Sequence, residues 1–262
     1  MNEKNEVHYM WIGKLTNIEL KCISSFLKLN PDIIVNLWLY EDNLDAALYF
    51  SNLKIKDANE IYDKSIIFTH GQYGSLSSFA DMFRYKLLYI YGGIWLDFDL
   101  YFYNSFPTIK ILKENSCYPL IGISHNKQSG LYKRPMPYFG WSGIMVISKG
   151  DERLKIMTDK MFANIDRLKV NKLKVTYGQQ LLEIYFKNEW LDSTTYEFRL
   201  KFCPIPSWHI IRFLKGMHVL PFLYGIPEIS LEKSEIYCIH LWNELRRHKS
   251  DNIKKLWSEF IF

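Results

Sequence analysis

Cysteine is scarce and scattered in this 262-residue sequence. Cys22, Cys117, Cys203 and Cys238 lie far apart with no Cys-x-x-Cys pair, so neither a zinc ribbon nor a disulfide framework is indicated. Reduced thiols in a cytosolic protein are the expectation. Long apolar runs are lacking too; none approaches the roughly 18 residues needed to span a bilayer. The opening Met1-Asn2-Glu3-Lys4-Asn5-Glu6 is polar and runs directly into the apolar stretch at Val7, which argues against a signal-peptide core. A cytoplasmic protein is expected, unless a specialised secretion system exports it. No charge of one sign is concentrated: 33 Lys and Arg are interleaved with 28 Asp and Glu, a formal net charge of +5. No nucleic-acid recognition motif accompanies that mild excess, so nucleic acid is not an expected partner, whereas an anionic ligand or a membrane surface is compatible. Repeats, low-complexity segments and a convincing interdomain linker are also missing. The length fits one large α/β domain over residues 1–262.

Aromatic residues, by contrast, are abundant: 18 Tyr, 17 Phe and 8 Trp make up 16% of the chain. Such rings pack cores, and they also stack on bases and sugars. The stretch from Val7 to Gly13 reads as a buried strand ending in a loop,. Asn17 to Leu29 has helical period and is stopped by Asn30-Pro31, and Ile33 to Tyr40 is a second strand,. Strand, helix and strand in this span form a βαβ unit, the start of an α/β sheet. Residues 44 to 70 read as helix and loop. A helix from Ser77 to Tyr91, capped by Ser77-Ser78 and ended by Gly92-Gly93, leads into a strand from Ile94,. Further on come a strand within Tyr138 to Ser148, helices over Asp151 to Leu168 and Tyr177 to Trp190, a proline-marked loop region, a strand over Ile236 to Leu241, and a closing helix from Asn252 to Phe262.

The strand from Ile94 carries Asp97 and Asp99, separated by one residue, so that in extended backbone both side chains project to one face,. Two carboxylates so placed can share a divalent ion such as Mn²⁺ or Mg²⁺, which takes hard oxygen ligands and can neutralise a leaving diphosphate. A solvated surface pair is the plainer reading, but the flanking Ile-Trp-Leu and Leu-Tyr-Phe-Tyr would make an unpaired charge costly. Asp81 and Arg84 are three apart and share a helical face, one turn from Ser77,. The pair reads either as a helix salt bridge or as a grip on sugar hydroxyls and phosphate.

The run Ser78-Phe79-Ala80-Asp81-Met82-Phe83-Arg84, then Leu87-Leu88, then Tyr91-Gly92-Gly93-Ile94-Trp95-Leu96-Asp97-Phe98-Asp99 resembles the sugar-binding region of glycosyltransferase family 32. That group includes capsule and lipooligosaccharide transferases and α1,4-galactosyl- and N-acetylglucosaminyltransferases. The opening Val7 to Gly13 is similar to the same enzymes and to the glucosylating domains of clostridial toxins. Trp141-Ser142-Gly143, Tyr177-Gly178-Gln179-Gln180, Phe202 to Pro206 and His240-Leu241-Trp242-Asn243 follow in the expected order.

The resemblance implies a GT-A fold, an open α/β sheet with the nucleotide beyond the strand ends. Residues 1 to about 110 would bind the donor; about 111 to 262 would face the acceptor and close the site. Trp11 would stack on the base, Ser77, Asp81 and Arg84 would hold the donor, and Asp97 would touch ribose and metal. Asp99 would ligate the metal, with His240 and Asn243 closing that site. Gln179 or Gln180 would stabilise positive charge at the anomeric carbon. The implied activity is metal-dependent, configuration-retaining transfer of a hexose from a UDP-sugar to a saccharide or lipid-linked saccharide. Two alternatives stay open: an exported effector that glycosylates a host protein, and a sugar-nucleotide-binding protein without turnover. Loops at His125 to Arg134 and Ile211 to Tyr224 suit a lid or acceptor rim, and the closing helix suits either packing or peripheral contact with the inner membrane.

Overall fold

The computed structural model describes residues 6–40, 50–70, 74–114, 118–124, 139–170, 177–191, 202 and 236–241. The loops expected at 125–134 and 211–224, the proline-marked stretch, the closing helix and Asn243 lie outside the described residues.

The expected βαβ unit is present as β1 (Glu6–Trp11), α1 (Asn17–Leu29) and β2 (Ile34–Leu39). At the start of α1 the Glu19 carboxylate accepts the backbone N–H of Thr16 at 2.9 Å and also meets its hydroxyl, a reciprocal capping arrangement,. Cys22, Ile23, Phe26 and Leu27 then fall on one buried stripe of the helix,. Asn30 stops it by donating both its backbone and its side-chain N–H to the Phe26 carbonyl.

A third strand, β3 (Leu53–Asp57), occupies part of the stretch read from sequence as helix and loop. Leu-Lys-Ile-Lys-Asp alternates apolar and polar residues, but the lysines leave it without the β-branched signal of a central strand. It lies at the sheet edge, where lysines guard against pairing with another chain,.

Helix α2 (Ser77–Tyr91) and strand β4 (Gly93–Leu96) come next. The expected serine cap is displaced: Ser77 and Ser78 lie within the first turn, and the Ser75 hydroxyl accepts the Ser77 backbone N–H at 3.2 Å. Gly92 and Gly93 turn the chain with φ of 67° and 92°, a left-handed region open to glycine at no steric cost,. Strand β4 ends at Leu96, so Asp97-Phe98-Asp99 is a turn between β4 and the short β5 (Leu100–Phe102) rather than part of a continuous strand.

The remaining elements are α3 (Ile109–Glu114), β6 (Leu120–Ser124), β7 (Phe139–Ile147), α4 (Glu152–Ala163), α5 (Ile165–Lys169), α6 (Tyr177–Leu191) and β8 (Cys238–His240). The single helix expected over 151–168 is divided at Asn164, whose side chain donates to the Lys160 carbonyl at 2.8 Å and supports the chain as it leaves the first helix.

The main sheet runs β3-β2-β1-β4-β7-β6, parallel from β3 to β4 and antiparallel at β7. Strands β5 and β8 form a separate antiparallel pair. Alternate residues face opposite sides of the sheet. Val7, Tyr9, Ile94 and Leu96 join a core with α1, whereas Trp38, Trp95 and Met145 join another with α2, α4 and α6. The fold is therefore of the α/β class expected from sequence, and the carboxyl ends of β1 and β4 lie side by side where the chain is interrupted by turns.

Candidate active site

The two carboxylates are fixed from the backbone outward. The Asp97 N–H donates to the Gly143 carbonyl at 2.8 Å, which holds it beside β7, and the Asp99 carbonyl accepts the Leu241 N–H at 2.7 Å, which holds it beside β8. In β8, His240 pairs in register with Leu100, and its Nε2 lies 2.9 Å from Asp99 Oδ1. Asp97, Asp99 and His240 each offer a ligand atom, all within 4.8 Å of one another. Two carboxylates and an imidazole suit a divalent ion of the Mn²⁺ or Mg²⁺ kind, the carboxylates favouring either ion and the imidazole favouring Mn²⁺.

Behind this group lies a buried polar chain. Arg84 is 4% exposed, and three neighbouring oxygens draw its NH1 and NH2. NH1 donates to the Ser142 carbonyl at 2.6 Å and reaches Asp97 Oδ1 at 3.0 Å, while NH2 lies 3.5 Å from Asp81 Oδ1. Its Nε returns to the Ala80 carbonyl at 3.2 Å, and the guanidinium stacks 5.0 Å from the Trp95 ring. The Trp95 indole N–H also donates to Asp97 Oδ1, at 2.9 Å. Both contacts meet one carboxylate oxygen and leave Oδ2 as the one to turn toward an ion. Burial lowers the affinity of Arg84 for its proton, but Asp97 and Asp81 together reverse this and push its pKa up,.

Asp81 sits deeper. It accepts the Ser142 hydroxyl at 3.0 Å, and its other oxygen packs so closely against Gly178, at the start of α6, that a methyl group there would overlap it. The Tyr85 hydroxyl donates to the Gly178 carbonyl at 3.1 Å and ties α6 to α2. Burial raises the Asp81 pKa from 3.8 to about 6, against the opposing pull of Arg84 and the Ser142 hydroxyl. The native state thus holds this proton more tightly than the unfolded chain. The stability the group contributes is complete below 3.8 and lost as pH rises through about 6,. Its activity effect runs the other way, because only the carboxylate can share Arg84 with Asp97. We expect kcat/KM to fall below about pH 6 in the wild type and this limb to vanish in Asp81→Asn,. An unchanged limb in the variant would remove Asp81 as its origin.

A cavity of about 160 Å³ opens in front of these groups, lined by Trp11, Ser77, Arg84, Asp97 and Asp99 together with Met10, Ile12, Leu76, Ala80, Trp95 and Phe98. Trp11 packs against Phe98 at 5.1 Å between centroids and also borders a second hollow with Gly13, Leu39, Tyr40 and Lys64. Gln179 and Gln180 are half-buried in the first turn of α6, beside the Gly178 that contacts Asp81. Trp11, Ser77, Arg84, Asp97 and Asp99 thus share one cleft, with Asp81 behind it and His240 at its Asp99 end. Sequence reasoning gave no role to Ser142, Trp95 or Gly178. The only hint was the small-residue content of Trp141-Ser142-Gly143 and Tyr177-Gly178, a sign of close approach that does not name the partner.

Residues 16–117 match the model of the glycosyltransferase sugar-binding region containing the DXD motif. No curated protein matches the chain. Among solved structures, the chain is similar to PaToxG glycosyltransferase at 16% identity, over 75% of this chain and 74% of that one, with a TM-score of 0.46. It is similar to the galactosyltransferase LgtC, in complex with donor and acceptor sugar analogues, at 12% identity over 69% and 70% of the two chains, with a TM-score of 0.42. Mouse xyloside xylosyltransferase 1 aligns at 17% identity over 69% and 76%, with a TM-score of 0.39. Because the matched region holds Asp81, Arg84, Asp97 and Asp99, the residues around which the cleft is built, the chain carries the DXD sugar-binding region of the glycosyltransferases and is an enzyme of that kind.

Proposed function

We propose that this glycosyltransferase moves a hexose from a UDP-sugar, with galactose, glucose or N-acetylglucosamine favoured, to a saccharide or lipid-linked saccharide acceptor. The product would be a bacterial surface polysaccharide or lipooligosaccharide, made in one catalytic domain on the cytoplasmic side, in peripheral contact with the inner membrane. The observation that carries the reading is the convergence of Asp97, Asp99 and His240 at a cleft bordered by an aromatic ring.

Asp97, Asp99 and His240 would hold Mn²⁺ or Mg²⁺, with Asn243 as a further ligand. When bound, such an ion offsets the charge that builds on a departing diphosphate. The chain itself supplies the rest. Trp11, between two hollows, offers a face for the base. Ser77 stands at the start of α2, where backbone N–H groups and the helix dipole favour an anionic oxygen,. Asp81 and Arg84 hold the donor side of the cleft in place, and the half-buried Gln179 and Gln180 would bring an amide carbonyl toward the anomeric carbon, where positive charge grows,. Transfer with retention, the acceptor proton passing partly to the departing phosphate, needs no carboxylate nucleophile.

The test is a thermal-shift panel of UDP- and GDP-sugars with and without Mn²⁺. A ligand at 100 times its Kd stabilises the native state by about 2.7 kcal/mol, a shift on the order of 5–10 °C for a domain of this size. We expect that shift for one UDP-sugar, and only with the metal. No shift with any sugar nucleotide would overturn the reading. Transfer of label to a protein band rather than to a saccharide or lipid fraction would overturn the acceptor class alone.

A further inference from the structure

Strand β7 reaches the site through an irregularity. Its pairing with β6 slips between Ile121 and Gly122, which face Met145 and Trp141 respectively, so Ser142, Gly143 and Ile144 form a bulge in β7. Bulges re-aim side chains, and this one does so. Ile144 and Val146 belong to the core on the α1 side, and strict alternation would place Ser142 there too,. Instead Ser142 turns to Asp81 and Arg84, while Trp141 joins the α1-side core. There its ring packs against the His240 imidazole at 4.5 Å between centroids, with the planes tilted by 43°. Trp141 is 8% exposed, and its indole packs against Gly143, where any Cβ would overlap the ring.

We infer that Trp141 is the positioning residue for His240, and that Gly143 is the seat that lets it be one. The inference rests on the metal reading above and deepens it. Strand β8 fixes the His240 backbone through its register with β5, but a short strand leaves the imidazole to turn about its side-chain bonds. A rigid indole on one side and the Asp99 carboxylate at Nε2 on the other restrict that freedom, so the nitrogen meets an incoming ion already aimed,. Groups that orient a metal ligand without touching the metal typically contribute 10–100-fold in affinity. The glycine follows from the same geometry: the indole can occupy this place only where position 143 has no side chain. Three consecutive residues at this irregularity therefore align the site: Trp141, at the edge of the bulge, sets His240, while within it Ser142 sets Asp81 and Arg84 and the Gly143 carbonyl accepts the Asp97 N–H.

The experiment is Mn²⁺ binding to the full chain, followed by loss of the free-ion electron paramagnetic resonance signal. The variants are Trp141→Met, which fills the volume without a ring, and Trp141→Phe, which restores a plane. We expect Trp141→Met to bind Mn²⁺ about 10–100-fold more weakly than wild type, and Trp141→Phe to recover most of the loss. Equal affinity in wild type and Trp141→Met overturns the positioning role and leaves the metal site intact. Failure of the wild type to bind Mn²⁺ overturns the metal reading and this inference with it. A second measurement does not depend on the Met variant folding. In wild type labelled with fluorotryptophan, the resonance missing from Trp141→Phe should broaden at stoichiometric Mn²⁺. A sharp, unmoved resonance overturns the inference.

Discussion

Asp99→Ala should abolish sugar transfer while the protein melts within a few degrees of wild type. Asp99 is 7% exposed and touches the imidazole of His240, while its backbone carbonyl, which the substitution keeps, anchors Leu241. The His240 contact of the side chain contributes about 1 kcal/mol, as a typical hydrogen bond does,. Its contribution to the reaction is of another order. With Asp97 and His240 it completes the group that would hold a divalent ion, and deleting one preorganised charge-stabilising element commonly costs about 10²–10³ in rate. Asp99→Asn is the sharper form, since the amide keeps a hydrogen-bonding partner for His240 and removes only the charge. Both variants should fall by at least about 10²-fold in kcat/KM and lose the Mn²⁺-dependent thermal shift with a UDP-sugar. Wild-type turnover by Asp99→Asn in chelator-treated buffer would rule out the metal assignment.

Much of the stretch from Val7 to Asp99 was legible in the sequence because its signals are local. The strand, helix and strand from Val7 to Tyr40 and the helix ending at Gly92-Gly93 each carry their own periodicity and stop residues, and the structure reproduces them. Asp97 and Asp99 were readable as a pair, but for an imperfect reason. Alternation along a strand suggested that they share a face, whereas the chain leaves β4 at Leu96 and reaches the same result through a turn clasped by β7 and β8. What escaped was long-range. Arg84 and Ser142 are 58 residues apart, and Ser142 and Asp81 are 61 apart. Neither spacing nor composition can show that a bulge brings them together. Strand β3 escaped for a different reason: an edge strand half covered by lysines buries too little to need β-branched residues,.

Arg84→Met is the substitution with the largest expected cost to stability, and it separates holding the fold from holding Asp97 at the cleft. The guanidinium stands between Asp81 and Asp97 and also satisfies the carbonyls of Ser142 and Ala80. Methionine fits the volume and stacks on Trp95, but it leaves a buried carboxylate unpaired. Breaking a buried ion pair from one side costs about 3–5 kcal/mol, a drop in melting temperature on the order of 10 °C for a domain of this size. The deficit should narrow as pH falls, because Asp81 already binds its proton near pH 6 beside Arg84 and would bind it at higher pH without it,. Arg84→Lys should fall between, since one ammonium cannot reach four acceptors in the directions a guanidinium reaches them. The decisive variant is Asp81→Asn with Arg84→Met. Removing both charges should restore most of the lost melting temperature, as neutral replacements of buried ion pairs often do. Transfer should stay low, because Asp97 would then keep only the Trp95 indole N–H to fix its Oδ1. Recovery of activity together with stability would show that Arg84 acts through folding alone. Recovery of stability with transfer well below that of Asp81→Asn alone would show that the buried guanidinium holds the Asp97 carboxylate where the diphosphate is expected.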